Sequence, residues 1–275
     1  NVYLCGFFAD ISGGTITFAD TVVLTTGGRE DIFLAKYDSL GNFLWAKRAG
    51  GNKSDFCSSI CNDKNGNCYI TGNFVSDTLY FDSHAVYLAQ GRFFVTKYDT
   101  SGNVLWARNC GDYASFSIKG IGADDNGNIY VSGFFTSSNY VAFDTIVYTI
   151  SGIEDIFLVK FDNSGNLVWA KTAGGVSSDE AYGMCTDKNG NSYITGFFWD
   201  MVIFGSTALI SDGANEVYVV KYDSSGNIVG AQKAGGNDVD VGRGVSVESK
   251  GGGANGNVYV TGYFYSPFMY FSNIT

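Results

Sequence analysis

The sequence predicts an all-β protein built by repetition, and three observations predict it. Gly supplies 37 of 275 residues, about twice its usual share. Phe and Tyr supply 22 and 18 more, a composition that suits short strands joined by tight turns better than helices. The segment NVYLCG at Asn1 returns as NCYITG at Asn67, NIYVSG at Asn128, NSYITG at Asn191 and NVYVTG at Asn257, at spacings of 66, 61, 63 and 66 residues.

Two further markers keep the same period. DIFLAKYD ends at Asp38, FFVTKYD at Asp99, DIFLVKFD at Asp162 and EVYVVKYD at Asp223. Each runs into GNFLWAK, GNVLWAR, GNLVWAK or GNIVGAQ and then into a glycine pair or its remnant. Four full units of about 64 residues and a partial fifth are expected, starting near residues 1, 67, 128, 191 and 257 of a single domain over 1–275.

Within a unit the apolar runs are short and bounded by Gly, Asn or Asp, which is the strand signal. In the second unit the strands fall at about Ser59 to Asn62, Cys68 to Phe74, Phe93 to Tyr98 and Val104 to Asn109. The first pair is joined through Asp63 to Asn67 and the second through Asp99 to Asn103. Both connections read as tight hairpins, because Asp accepts turn amides and Gly adopts positive φ without a Cβ clash. Between the hairpins stands a fixed Phe (Phe18, Phe81, Phe143, Phe204, Phe271) followed by a second apolar stretch such as Val86 to Ala89, so an added short hairpin is expected. Strands such as Ile156 to Val159 are apolar on both faces and need cover on both sides. Four antiparallel strands per unit, stacked in a ring or arc, make a β-propeller built from four-stranded blades.

Composition also excludes partners. With 17 basic and 27 acidic residues the formal charge is −10, which argues against a nucleic-acid backbone as ligand. No apolar run approaches the roughly 18 to 20 residues that cross a bilayer. The chain opens on Asn1 without the order of segments a signal peptide requires, and both ends fall inside repeats, so a piece of a longer polypeptide is expected.

Candidate chemistry is sparse. His84 is the one histidine and reads as a surface-loop residue; a multi-imidazole zinc centre or a hydrolytic triad is hard to assemble around it. Cys5, Cys57, Cys61, Cys68, Cys110 and Cys185 lack paired CxxC spacing and read mainly as buried fillers, with Cys61 and Cys68 as one pair that could bridge in an exported protein. No cofactor and no metal are expected. The DxxGN turns alternate oxygen-bearing side chains, but their Gly stands fourth and no Glu follows at the twelfth place, so turn chemistry is preferred to calcium ligation. Trp45, Trp106 and Trp169 repeat with the fold and read as blade packing. Lys36, Lys97, Lys160 and Lys221 also repeat, and pairing with an acid of a neighbouring blade is expected.

Asp55, Asp179 and Asp240 each follow a glycine pair, with Ser115 in the matching place. They either cap the turn into the first strand or form a ring of carboxylates near a channel, able to hold a cation or polar ligand. Trp199, Asp200 and Met201 depart from the repeat at the second-to-third-strand connection, where a grafted function would sit. Asp55, Asp179, Asp240 and Trp199 are therefore the candidate binding residues.

As a set, FLWAKRAGG, Asp55 and the ICNDKNGNCYITG hairpin resemble the seven-bladed β-propeller (SBBP) repeat of bacterial secreted and cell-surface proteins. The resemblance covers nearly the whole chain. It implies a propeller, export and a place at the cell surface, and the family carries no shared catalytic residues. The chain departs from the pattern at Gly230, where other units have Trp, at Cys110, which replaces the first Gly of a pair, and at Gly251 to Gly253, which lengthen a turn. The expected function is a non-catalytic extracellular module that binds a protein or glycan through its loop face. The alternatives are a carbohydrate-active enzyme, a lyase or glycosidase with a carboxylate pair or a Tyr base in the channel, and a subunit that self-associates through open blade edges.

Overall fold

A computed structural model describes residues 1–9, 14–90, 92–136, 139–150, 152–248 and 256–271. They divide into two compact units, Asn1–Asp112 and Tyr113–Thr275.

Unit 1 holds β1 (Val2–Ala9), β2 (Thr15–Phe18), β3 (Val22–Thr25), β4 (Glu30–Tyr37), β5 (Phe43–Gly50), β6 (Asp55–Asn62), β7 (Cys68–Phe74), β8 (Thr78–Phe81), β9 (His84–Tyr87), β10 (Phe93–Tyr98) and β11 (Val104–Cys110). Its sheets run β1-β4-β5-β8-β9 and β11-β10-β7-β6, with β2-β3 as a separate hairpin.

Unit 2 holds β12 (Ser115–Ala123), β13 (Ile129–Thr136), β14 (Tyr140–Phe143), β15 (Ile146–Thr149), β16 (Asp155–Phe161), β17 (Leu167–Ala173), β18 (Asp179–Thr186), β19 (Ser192–Phe198), β20 (Met201–Phe204), β21 (Thr207–Ile210), β22 (Glu216–Tyr222), β23 (Ile228–Gly235), β24 (Asp240–Val247), β25 (Val258–Phe264) and β26 (Tyr270–Phe271). Its large sheets run β12-β13-β16-β17 and β18-β19-β22-β23-β26; β14-β15, β20-β21 and β24-β25 are two-stranded.

The protein is all-β, and its large sheets are antiparallel: two are four-stranded in the manner of propeller blades, and two reach five strands by adding β8-β9 or β26. The sequence unit and the sheet are offset. Each sequence unit starts on the second strand of a sheet, and the first strand (β6, β12, β18 or β24) comes from the end of the preceding unit. That first strand begins at Asp55 rather than near Ser59, because a bulge at Ser58 lets the ladder with β7 continue to Asp55↔Phe74.

The expected inserted hairpins form, as β2-β3, β8-β9, β14-β15 and β20-β21. Their fixed Phe side chains (Phe18, Phe81, Phe143, Phe204) are buried; the Phe271 side chain and Gly251 to Gly253 lie outside the described residues. The hairpins also fasten sheets to one another. β8 adds to β5 through Ala49↔Phe81 and Gly50↔Tyr80, and Ile203 N–H donates to Gly174 O at 3.1 Å.

Cores lie between neighbouring sheets. Ile32 and Leu34 meet Ile70, Phe74 and Phe94 in unit 1, while Ile156 and Leu158 meet Ile194, Phe198 and Tyr218 in unit 2. Second and third strands are covered on both faces, as their continuous apolar runs require.

The DxxGN segments are turns. In Asp38, Asp63, Asp99, Asp124, Asp162, Asp187 and Asp223 alike, Oδ1 accepts the N–H groups two and four residues on, and Oδ2 accepts the amide of the Asn four residues on. Each turn glycine has φ between +77° and +85°, for example Gly127 and Gly41.

Three expectations are corrected. Lys36 Nζ donates to Thr100 O at 2.6 Å and Lys160 Nζ to Ser224 O at 2.8 Å, so these lysines hold a turn carbonyl of the next sheet rather than an acid. Trp45 and Trp169 Nε1 each donate to the same carbonyl at 3.3 Å. His84 lies in strand β9, opposite Phe81, and not in a loop. All six cysteines are free thiols, and the register sets Cys61 opposite Tyr69 and Cys68 opposite Asn62 rather than opposite each other.

Candidate functional site

The glycine pairs explain where the candidate carboxylates go. At the end of a fourth strand the chain passes so close to the following hairpin that a Cβ on Gly51 would lie 2.2 Å from Thr78 O, and one on Gly175 1.8 Å from Met201 O. Four residues after the second glycine, an Asp turns inward to hold the loop. Asp55 Oδ2 accepts Gly51 N–H and Ser76 Oγ–H, both at 2.8 Å, and Oδ1 accepts Val75 and Ser76 N–H at 3.3 Å. Asp240 repeats the set with Gly236 N–H, Ser266 Oγ–H, Tyr265 N–H and Ser266 N–H.

All three aspartates are fully buried. Of the two readings of these acids, the structure shows the loop cap and not an open ring: Asp55 and Asp240 face N–H and O–H donors of the loops instead of solvent.

Asp179 departs from this pattern. Its Oδ2 accepts Gly175 N–H at 2.7 Å, but the connection after β19 is Trp199-Asp200 where unit 1 has Val75-Ser76-Asp77. The donor serine has no counterpart, Asp200 takes φ +67°, and Asp179 Oδ1 is without a hydrogen-bond partner among the described residues. Burial pushes Asp179 up to about 8, with the charges of Asp155 and Asp200 adding to the rise.

Asp155 opens β16 and lies on the other side of the same glycine pair. Its Oδ1 would sit 1.8 Å from a Cβ on Gly174. In unit 1 the matching Asp31 accepts Gly27 N–H at 2.6 Å and the Arg48 guanidinium Nε–H at 2.6 Å. Thr172 stands where Arg48 stands, Asp155 Oδ1 is without a partner among the described residues, and burial pushes Asp155 up to about 6.

The equivalence of the two places is structural as well as sequential. Glu30 bridges Ser54 as Glu154 bridges Ser178, and Arg29 N–H donates to Lys53 O as Ile153 N–H donates to Ser177 O.

Trp199, the fourth candidate, is half-exposed at this end. Ile153 and Val176 join it, 59% and 61% exposed, where unit 1 has Arg29 and Asn52. The structure thus brings together two of the predicted residues, Asp179 and Trp199, with Asp155, Ile153 and Val176. The sequence did carry a signal for these last three: aligning the repeats position by position exposes Arg48 becoming Thr172 and Arg29 becoming Ile153.

A second feature is legible only in three dimensions. Each first strand carries a bulge, and the bulged residue differs from sheet to sheet: Ser58, Lys119, Tyr182, Arg243. In unit 2 the last three stack, Lys119 Nζ 5.5 Å and Arg243 Cζ 4.2 Å from the Tyr182 ring centre. Among the described residues no three His, Cys, Asp or Glu side chains meet as a metal centre.

Repeated four-stranded sheets with variable residues at the loop ends define a propeller-like repeat protein. No family model matches the chain. It is similar to an uncharacterized WD repeat-containing protein, L264, of Acanthamoeba polyphaga mimivirus, at 27% identity over 230 residues, 70% of this chain and 17% of that protein. It is also similar to regulatory protein FlaEY of Caulobacter vibrioides, at 25% identity over 133 residues, 48% of this chain and 14% of that protein. The chain spans less than a fifth of the length of either relative. No helix among the described residues is long and apolar enough to cross a membrane.

Proposed function

We propose that the chain is a non-catalytic, protein-binding propeller scaffold whose contact surface in unit 2 is the loop end bearing Ile153, Val176 and Trp199. One observation carries the reading: three large apolar side chains stand in solvent next to the ends of β16, β18 and β19, at positions where the sister loop of unit 1 has Arg29, Asn52 and Val75. An apolar patch above rigid sheets marks a contact surface, and a WD-repeat relative fits a scaffold. The carboxyl groups of Asp155 and Asp179 are 6% and 0% exposed, out of reach of a sugar ring. Display at the cell surface and a glycan as ligand rest on the SBBP resemblance and belong to the same proposal.

Parallel protein and glycan arrays, probed with wild type and with an Ile153→Ser/Val176→Ser/Trp199→Ala variant of unchanged circular dichroism, test it. Protein binding that the variant loses supports the scaffold. Binding that the variant keeps moves the contact surface elsewhere, and binding confined to glycans replaces the protein partner.

A further inference from the structure

In unit 2 the second strand of one sheet, β19, lies against the first strand of the next, β24. Two positions come very close there: a Cβ on Gly242 would lie 2.3 Å from Thr195 Oγ1. One sheet earlier, β13 and β18 carry Ser132 and Ala181 at the same positions. The repeat thus sets a short polar side chain of a second strand against a first-strand residue whose side chain is a methyl group or nothing.

Unit 1 fills both positions with cysteine. Cys5 on β1 stands where Thr195 stands, and Cys57 on β6 stands where Gly242 stands. β1 lies against β6 as β19 lies against β24, and the two thiols share a hydrogen bond. Beside them the Phe7 and Phe56 rings meet edge to face, with centres 5.0 Å apart. Both cysteines are half-buried against one apolar core, and β1 is the outermost strand of its sheet, so a small molecule can reach Cys5. Cys68 is fully buried on β7, and Cys61 stands opposite Tyr69.

We propose that Cys5 and Cys57 form a disulfide site, closed when a small-molecule disulfide of the oxidised glutathione kind takes up their electrons. The Cys57 hydrogen bond holds the Cys5 thiol below its ordinary value, while the same bond and burial push Cys57 up, so Cys5 is the thiolate that attacks. Its sulfur bonds to one sulfur of the small disulfide, whose S–S bond breaks and releases the first thiol. Cys57 Sγ then gives up its proton and attacks the Cys5 sulfur; the Cys5–Cys57 bond forms and the second small thiol leaves. Two protein thiols are oxidised, and their two protons and two electrons end on the two released thiols. The bond ties β1 to β6 across the core between two sheets, and it persists in oxidising surroundings. The site does not depend on the protein-binding reading, because its test uses no partner.

The chain, purified with reductant, is equilibrated at pH 8 with oxidised glutathione and read by intact mass, thiol titration after unfolding, peptide mapping and melting temperature. Wild type loses the mass of two hydrogens, its titratable thiols fall from six to four, and the bridged peptides contain Cys5 and Cys57. Its melting temperature rises by about 5–10 °C over the reduced form. Cys5→Ser and Cys57→Ala, which install residues that sister strands carry at these places, each abolish the bridge and the rise. Cys61→Ser and Cys68→Ser, also residues of sister strands, keep both. A bridge mapped to Cys61 or Cys68 overturns the proposal. So does a wild type that keeps all six thiols, or one that holds glutathione on Cys5 as a stable mixed disulfide.

Discussion

The loop of unit 1 that joins β4, β5 and β6 and the loop of unit 2 that joins β16, β17 and β18 share backbone, register and glycine pair, yet they satisfy their buried acids in opposite ways. Asp31 has Arg48 and Asp55 has Ser76, so every charge in unit 1 meets a donor within the loop. Asp155 has Thr172 in place of Arg48, and Asp179 has lost the serine through a connection one residue shorter. A repeat fixes the backbone and leaves the neutralisation of its buried acids to side chains that vary.

The largest effect is expected from making unit 1 resemble unit 2. Arg48→Thr leaves the buried Asp31 carboxylate without its cation and should lower stability by about 2–3 kcal/mol at pH 7, read by chemical denaturation of unit 1. No loss would mean that Gly27 N–H alone holds that charge.

Next comes the pH dependence of unit 2. A carboxyl group raised from 3.8 to about 6 in the folded state binds more protons folded than unfolded, so Asp155 makes stability fall as pH rises from about 3.8 to 6. Asp179 extends the fall toward about 8. Asp155→Asn should remove its share and gain on the order of 1–2 kcal/mol at pH 7, since a neutral amide has no ionisation for burial to oppose. A stability curve of the same slope in variant and wild type would contradict the assignment.

The reverse graft is smaller. Thr172→Arg should add about 1 kcal/mol at pH 7, because the new guanidinium gains an ion pair but orders a long side chain. An equal gain from Thr172→Gln would show that packing, not charge, is responsible.

Smallest is the loop serine. Ser76→Ala and Ser266→Ala each remove one hydroxyl donor from a buried Asp that keeps its main-chain donors, and about 1 kcal/mol should be lost in each. If either change is neutral, the missing serine beside Asp179 is not what distinguishes that loop.

The sheets were legible in the sequence because the signal for them is local and repeated. The DxxGN turns name their own geometry, as Asp63 and Gly66 show, and strands such as Phe93–Tyr98 fall where short apolar runs and turn residues set them. The start of a first strand was not legible, since the Ser58 bulge that carries β6 back to Asp55 depends on the partner strand. The partner of Lys36 was misread for the same reason. Opposite charge is visible in a sequence, but a turn carbonyl 64 residues away is presented only by the packing of one sheet on the next.

The candidate site was half legible. Asp179 and Trp199 stood out as a repeated acid and a departure from the repeat, but nothing in one dimension set Asp155 across the glycine pair from Asp179. By itself the sequence determined the strands, the turns, the period and the residues that vary within it, because these follow from periodicity and from the conformational limits of Gly and Asp. Only the tertiary structure decided which acids are buried, which of them meet a donor and which share a loop. Burial and neutralisation belong to groups brought together from distant parts of the chain.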